Sequence, residues 1–360
     1  MRRLWLISVI ALALFVPLTT TYSQDSVVEL PYPQGLVAYL YEGDCAEGGG
    51  AVRCPTGIAV YNPFTEAVLI LTGVRMVETF TPMVWAHDFS FIIYRDVDGF
   101  YWHEIETQTR INIFPDYNFQ EKPFTWFSLS PDDSVVAFAN VNGLFVQELE
   151  TGVREVLVEA EIFRQPLWSP DGSRIVFSVL HDDGWSIETI APDGSNREQL
   201  VEDPNLVAWS DIFWSPDGDY LAFMTEIDDG EGRQMNVMDA DGDNLRPAGN
   251  AYDDFGLYPT FGWATIDHYL LYRTVDIAFE LNTLNLLNVD SGVQRILITT
   301  SNDDFIFYDV SPDGGQIVYS NRLGSESPLC FSSLLEIVEQ CMDISPAPYL
   351  ANPANINWGS

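Results

Sequence analysis

Apolar and polar residues alternate over short stretches along most of the chain, and polar turns separate these stretches. In "WSPDGSRIVFSV", residues 168–179, Ile175 and Phe177 fall on the same side of a strand that follows a tight turn. The proline of this turn presets φ, the aspartate accepts local N–H groups, and the glycine tolerates positive φ. The string therefore predicts the end of one strand, a turn and a second strand.

Nearly the same string recurs along the chain, as "WSPDGDYLAFMT" from Trp214 and "VSPDGGQIVYSN" from Val310. Degenerate copies follow in the same register, and "NWGS" ends the chain with a last tryptophan. The anchor residues recur every 39–49 residues, at positions 85, 129, 168, 214, 263, 310 and 358. A period of this length predicts one four-stranded unit per repeat, as in a propeller blade.

The intervals between anchors also contain outer hairpins, each made of a strand, a polar turn and a strand. The clearest are predicted at 144–158, 185–201, 235–249 and 281–299. The first repeat, 36–72, shows only three strands, and 355–358 at the far end of the chain supplies the fourth. We therefore predict an all-β fold, a seven-bladed β-propeller of four-stranded antiparallel blades. The ring closes when the C-terminal strand completes blade one.

The N-terminus has the composition of a secretory signal. Arg2 and Arg3 precede an apolar run from Leu4 to Leu18, and small residues follow before Gln24. The run is shorter than the roughly 18–20 residues that a spanning helix needs. We predict a cleaved signal peptide over 1–23, a linker over 24–35 and a single propeller domain over 36–360. The mature protein is then secreted, periplasmic or on the cell surface, with no membrane span.

The four cysteines form two local pairs, Cys45 with Cys54 and Cys330 with Cys341. In an exported chain this spacing favours two disulfides, although four cysteines allow three connectivities. The second pair would join the strands of an outer hairpin in blade seven. A short helix from Ser333 to Gln340 is the alternative for that segment.

The formal net charge of −37 limits the classes of partner. Because such an acidic surface repels phosphate and anionic lipid, we expect no nucleic-acid partner. It favours cations, cationic partners or simply solubility. Hydrophobic residues make up 47% of the chain, which is enough for a large core.

Candidate catalytic residues do not emerge from the motifs. The sequence contains no G-x-S-x-G elbow, H-E-x-x-H motif or Gly-rich phosphate loop. We interpret the repeated turn aspartates as structural, because a turn requirement produces recurrence in register. They are Asp132, Asp171, Asp217 and Asp313. We predict a hairpin turn at 239–244, "DADGDN", because its glycine is misplaced for a calcium loop.

Acidic and aromatic residues concentrate in loops that should meet on one face of a propeller, which we call the loop face. These loops join the second strand of a blade to the third, or the fourth strand to the next blade. Examples are "RDVDG" at 95–99, "HDDGW" at 181–185 and "NDDF" at 302–305. Loops on a rigid scaffold often carry function, although Asp-Gly pairs also suit plain hairpin turns. The predicted binding residues are Asp182, Asp183, Trp185, Asp228, Asp229, Tyr252, Asp253, Asp254 and Tyr258.

The six aspartates of this set belong to three successive blades. Crowded carboxylates repel one another unless a cation or a cationic partner lies between them. Calcium prefers such oxygen ligands. We expect no cofactor, and the alternative is calcium held by these aspartates.

The repeats resemble those of the TolB-type β-propeller family, whose units carry a W-S-P-D-G turn followed by an apolar strand. The resemblance covers roughly residues 36–358. Such repeats occur in TolB, in prolyl oligopeptidase-like enzymes, in some polysaccharide lyases and in exported proteins without known activity. From the sequence we expect neither the N-terminal α/β domain of TolB nor a hydrolase domain after blade seven.

Two functional hypotheses follow. The first is an exported, non-catalytic and monomeric scaffold that binds a protein, peptide or glycan through the loop face. The second is a secreted carbohydrate-active enzyme, a lyase or hydrolase, with its site at the mouth of the pore. A lyase of this architecture would need histidines clustered around a metal ion. The four histidines are instead scattered, at His87, His103, His181 and His268.

Overall fold

The structure is a computed structural model, and it describes part of the chain. The predicted signal peptide and nearly all of the predicted linker lie outside the described residues. These residues are 35–42, 56–63, 65–72, 83–96, 99–115, 126–140, 142–159, 162–182, 184–202, 206, 212–227, 232–249, 261–264, 268–276, 281–301, 307–311, 315–320, 329–334, 339–342 and 356–357.

Seven four-stranded antiparallel sheets form the blades, and their 28 strands are numbered here in chain order. The described residues contain no helix that is long and apolar enough to span a membrane. Blade one consists of β28 (Ile356–Asn357), β1 (Val37–Glu42), β2 (Thr56–Asn62) and β3 (Ala67–Ile70). Blade two consists of β4 (Met83–Trp85), β5 (Phe91–Asp96), β6 (Gly99–Glu104) and β7 (Arg110–Asn112).

The next three blades follow the chain without interruption. Blade three consists of β8 (Trp126–Leu129), β9 (Val135–Asn140), β10 (Gly143–Glu148) and β11 (Arg154–Glu159). Blade four consists of β12 (Ile162–Trp168), β13 (Ile175–His181), β14 (Gly184–Ile190) and β15 (Glu198–Glu202). Blade five consists of β16 (Phe213–Trp214), β17 (Tyr220–Ile227), β18 (Gly232–Asp239) and β19 (Arg246–Pro247).

The last two blades complete the ring. Blade six consists of β20 (Phe261–Trp263), β21 (Tyr269–Asp276), β22 (Leu281–Asn288) and β23 (Gln294–Ser301). Blade seven consists of β24 (Phe307–Val310), β25 (Gln316–Ser320), β26 (Leu329–Ser333) and β27 (Glu339–Met342). The prediction of an all-β, seven-bladed propeller is confirmed.

Ring closure depends on the last strand of the chain. In the antiparallel ladder of β28 with β1, Ala38 lies opposite Asn357 and Tyr39 opposite Ile356. The first strand of each blade is its innermost, and β28 packs between β24 of blade seven and β4 of blade two. The predicted completion of blade one by the C-terminal strand is therefore confirmed.

The hydrophobic core lies between the blades. Seven clusters of buried residues occur in the described part of the chain, and each takes its members from two adjacent blades. One of them joins Tyr39 of blade one to Val318 and Phe331 of blade seven. Fully burying one such large side chain is worth about 1.5–3 kcal/mol. Each seam between blades is thus a small core, and the ring has no open end.

Two of the recurring tryptophans, in blades five and six, each tie their blade to the preceding one. The indole N–H of Trp214 in blade five donates to the carbonyl of Leu167 in blade four, at 3.4 Å. In the same way, Trp263 of blade six donates to the carbonyl of Phe213 in blade five, at 3.1 Å. The Arg174 guanidinium also lies 5.1 Å from the centre of the Trp214 ring. These contacts give the tryptophan before the repeated turn a structural role in blades five and six.

Blade seven ends in a hairpin and contains a disulfide. Cys330 on β26 lies opposite Cys341 on β27, and the two are bonded. The prediction of a disulfide-linked hairpin is confirmed, and the alternative helix is excluded because 339–342 are extended. Cys45 and Cys54 lie outside the described residues, so their pairing stays a prediction.

Candidate functional site

The turns between the first and second strands of the blades, the inner turns, contact one another on one face of the propeller. A Cβ added to Gly172 of blade four would lie 3.6 Å from the ring of Pro131 in blade three. Gly218 of blade five stands in the same relation to Pro170 of blade four. Turns between third and fourth strands, the outer turns, emerge on this same face, because the strands of a blade are antiparallel. We call it the turn face.

The repeated aspartates stabilise the inner turns. In blade four the Asp171 carboxylate accepts the hydroxyl of Ser169 at 2.6 Å and the N–H of Ser173 at 3.0 Å. The hydrogen bond from Ser169 is the main reason that the pKa of Asp171 falls to about 2. The serine-to-aspartate bond recurs at 2.6 Å as Ser130–Asp132 and Ser215–Asp217. The structural interpretation of these aspartates is confirmed, while Asp313 lies outside the described residues.

Four ionisable side chains meet on the turn face where blades five and six touch. We call them the seam cluster: Asp217 and Asp219 of blade five, with His268 and Asp290 of blade six. His268 places its Nδ1 atom 2.7 Å from Oδ2 of Asp290, and its Nε2 atom contacts the Asp217 carboxylate. One nitrogen of His268 and one oxygen each of Asp217 and Asp219 lie within 4.8 Å of one another. This arrangement could hold a metal ion.

Local structure fixes the orientation of the imidazole. His268 has φ of 52°, a left-handed conformation in which histidine is enriched. Its ring meets the Tyr220 ring edge to face, with centroids 5.1 Å apart. The Tyr220 hydroxyl donates to the other oxygen of Asp290 at 3.1 Å, and its ring stacks on Trp263. Asp290 is therefore held from two sides and positions His268 in turn.

The electrostatics of the seam cluster follow from these contacts. The hydrogen bond to Asp290 is the main cause that raises the pKa of His268, and it outweighs the effect of partial burial. The same bond lowers the pKa of Asp290. Imidazolium and carboxylate thus stabilise each other within blade six, and the contact of His268 with Asp217 links this pair to blade five.

A simpler histidine contact joins blades two and three on the same face. The backbone N–H of His87 donates to Oδ2 of Asp133 at 3.0 Å, and the ring Nδ1 lies 2.7 Å from Oδ1. The hydrogen bond to Asp133 raises the pKa of His87, and Asp88 and Asp132 add to the effect. The side chain is about half exposed, at 52%. This ion pair links the inner turns of two blades.

The His87 contact predicts a pH dependence of stability. A pKa raised above about 6.5 means that the stabilisation is complete below pH 6.5 and is lost as the pH rises through the folded pKa. Because His87 is half exposed, we expect the contribution to stay below about 1 kcal/mol. The free energy of unfolding of the wild type should exceed that of His87→Gln at pH 6, and the two should converge at higher pH. A difference independent of pH would contradict this assignment.

The other two histidines have partners within their own blades. His181 lies 2.7 Å from Oε1 of the buried Glu188, whose other oxygen accepts the guanidinium of Arg197 at 2.6 Å. Buried His103 lies 3.0 Å from the hydroxyl of Tyr94, and its burial lowers its pKa. All four histidines are described, and each has a separate set of contacts.

The predicted binding residues on the loop face are described only in part. Asp182 is exposed in the turn between β13 and β14. Trp185 at the start of β14 is half-buried and packs against the hydrophobic cluster between blades four and five. The other seven predicted residues lie outside the described part, so the loop-face site stays a prediction. They are Asp183, Asp228, Asp229, Tyr252, Asp253, Asp254 and Tyr258.

One loop-face acid has a different role from the one predicted. In the 95–99 loop, Asp96 was expected to add exposed negative charge, but it is 2% exposed. Its carboxylate accepts a hydrogen bond from the Arg110 guanidinium on β7, and that guanidinium lies 3.4 Å from the centre of the Tyr101 ring. The prediction was wrong for Asp96. This residue lies at the β5–β6 turn, and its carboxylate is directed at the Arg110 guanidinium instead of solvent.

The architecture defines the protein as a seven-bladed β-propeller, and comparison with known proteins refines this class. The sequence model of the TolB beta propeller domain matches residues 77–339. The chain therefore belongs to the TolB β-propeller family. Among curated proteins, no sequence matches it.

Solved structures show the same fold at low sequence identity. An oligogalacturonate lyase in complex with manganese is 14% identical, with a TM-score of 0.59 over 82% of this chain and 89% of that one. An oligogalacturonate lyase from Vibrio parahaemolyticus is 16% identical, with a TM-score of 0.59 over 79% and 88%. TolB from Acinetobacter baumannii is 14% identical, with a TM-score of 0.49 over 87% and 81%. At these identities the likeness shows the fold alone.

Proposed function

We propose that the protein is an exported, non-catalytic scaffold that binds a cationic protein or peptide through the acidic loop face. The net charge of −37 and the loop aspartates supply attraction for such a partner. The predicted signal peptide supports the export of the mature chain. A ring with a closed seam at every blade is the kind of rigid scaffold on which binding loops are often carried.

The observation that carries this proposal is the separate engagement of the four histidines. His87 and His268 each contact aspartates across a seam between blades. His181 contacts a buried glutamate, and His103 contacts a tyrosine hydroxyl. A lyase of this architecture would require several histidines around one metal ion, and no two of these four histidines share a partner. Because these histidines make separate structural contacts, they favour the scaffold hypothesis. The carbohydrate-active enzyme stays the alternative.

The enzymatic alternative is tested with the substrate named for the lyases of the same fold. We expect the mature chain, incubated with oligogalacturonate and Mn²⁺, to form no more unsaturated product than a protein-free blank. Ultraviolet absorbance of the unsaturated uronide measures the reaction directly. Product formation in proportion to protein concentration would overturn the non-catalytic proposal.

Binding is tested with a fluorescent oligoarginine peptide and a variant that carries six Asp→Asn substitutions on the loop face. We expect the variant to bind at least about tenfold more weakly, because six screened charge contacts of about 0.3 kcal/mol each exceed the 1.4 kcal/mol of one decade. Fluorescence anisotropy at fixed ionic strength measures the dissociation constant. The substituted positions are Asp182, Asp183, Asp228, Asp229, Asp253 and Asp254.

A matched control separates the loop face from net charge alone. Six exposed glutamates on described strands and outer turns are changed to glutamine, which removes the same charge without touching the predicted site. We expect this control to bind the peptide within about threefold of the wild type, because contacts beyond a Debye length are screened. Equal weakening in both variants would contradict the loop-face site. The control positions are Glu66, Glu106, Glu148, Glu150, Glu155 and Glu198.

A further inference from the structure

We propose that the seam cluster binds a single divalent transition-metal ion, with zinc as the best match, and that this ion clamps blade five to blade six. The ligands are the Nε2 atom of His268 and one carboxylate oxygen each of Asp217 and Asp219. This site lies on the turn face, opposite the loop face. It is therefore independent of the proposed scaffold function and of the calcium expected there.

The spacing and chemistry of the donors suit such an ion. The three ligand atoms lie within 4.8 Å of one another, so small rotations of the exposed Asp217 and Asp219 side chains bring all three to bonding distance of a central ion. One imidazole nitrogen and two carboxylate oxygens leave a fourth tetrahedral position for water, as in open zinc sites. Two carboxylates and a neutral imidazole also balance the charge of a divalent cation. The metal replaces the proton on Nε2, which leaves to solvent.

The second imidazole nitrogen provides a separate argument, because its partner is outside the ligand set. Nδ1 of His268 lies 2.7 Å from Asp290, and the Tyr220 hydroxyl holds the same carboxylate at 3.1 Å. Histidines that bind metals usually donate their other N–H to a carboxylate or carbonyl, which fixes the tautomer. Here that bond directs Nε2 toward Asp217 and Asp219. Asp290 is thus a positioning residue for the ligand.

The imidazole decides the class of metal. Calcium and magnesium select sites made of oxygen atoms, whereas imidazole suits zinc and other first-row transition metals. The ligands also come from two blades, so an ion bound here links their inner turns. Any ligand that binds only the folded chain raises its stability. A bound ion should therefore strengthen this seam.

The site is tested by titrating the mature, chelator-treated chain with ZnCl₂. Isothermal titration calorimetry should give one site per chain, and one equivalent of zinc should raise the melting temperature. A 100-fold excess of calcium should not compete. We expect Asp219→Asn and His268→Gln to bind zinc at least tenfold more weakly, and Asp290→Asn to bind it about 10–100-fold more weakly. Circular dichroism at the titration temperature checks that each variant is folded.

His87→Gln is the matched control, because it removes the other histidine that links two inner turns. We expect this variant to bind zinc with the wild-type affinity. Binding that persists in both Asp219→Asn and His268→Gln would overturn the site. Equal losses in His87→Gln and His268→Gln, or no binding by the wild type, would also overturn it.

Discussion

Deletion of Pro353–Ser360 is expected to lower the free energy of unfolding by at least about 4 kcal/mol. The deletion removes β28, the innermost strand of blade one, and leaves the edge of β1 unpaired. Tyr39 and Ala38 on β1 are fully buried and would lose cover from one side. A large buried side chain contributes about 1.5–3 kcal/mol, and each lost hydrogen bond about 1 kcal/mol. Chemical denaturation followed by tryptophan fluorescence measures the change.

The control for this deletion ends the chain at Trp358 and removes only Gly359 and Ser360. We expect the control to unfold at the wild-type denaturant concentration, because β28 ends at Asn357. If the longer deletion also left the midpoint unchanged, the last strand would not close the ring.

Gly143→Ala is expected to destabilise the protein by at least about 3 kcal/mol. Gly143 begins β10 with φ of 147°, and an added Cβ would lie 2.1 Å from the carbonyl oxygen of Val158 on β11. That oxygen belongs to a strand paired with β10, so relief of the clash requires a shift of the ladder. Unfavourable φ and overpacking each cost about 1–3 kcal/mol. Denaturant unfolding of the purified variant measures the loss.

Gly152→Ala is the matched control in the same blade. Gly152 also has positive φ, at 70°, but no atom lies within 4 Å of an added Cβ. We expect a loss of only about 1 kcal/mol, from the left-handed backbone alone. Losses of equal size at the two glycines would mean that the close approach of Val158 does not constrain the strand.

The repeat made most of the fold predictable from sequence. Blades two to seven each contain their own turn and their own alternation of apolar residues, so local information specifies each of these units. The missing strand of blade one was also predictable, because a repeat with three strands at one end requires a fourth from the other. The disulfide in blade seven could be predicted because Cys330 and Cys341 are close in the sequence and the chain has a predicted signal peptide.

The candidate site at the seam could not be predicted in the same way. Asp217 looked like one more turn aspartate, and it does accept the Ser215 hydroxyl as such a residue should. One signal was available, because His268 occupies the repeat position of Asp219 and replaces an exposed acid by an imidazole. The sequence alone does not show that the inner turns of blades five and six are in contact, so the histidine could not be assigned to a site with Asp217.

The sequence by itself therefore determined the type and number of the blades, because turns and strands depend on neighbours a few residues away. Only the tertiary structure decided which polar groups meet. His268 and Asp217 are 51 positions apart and come together because adjacent blades bury a shared hydrophobic cluster. Asp96, expected as a surface charge, is a buried partner of Arg110 two strands away in the same blade. Burial and long-range contact set these roles, and no local pattern encodes them.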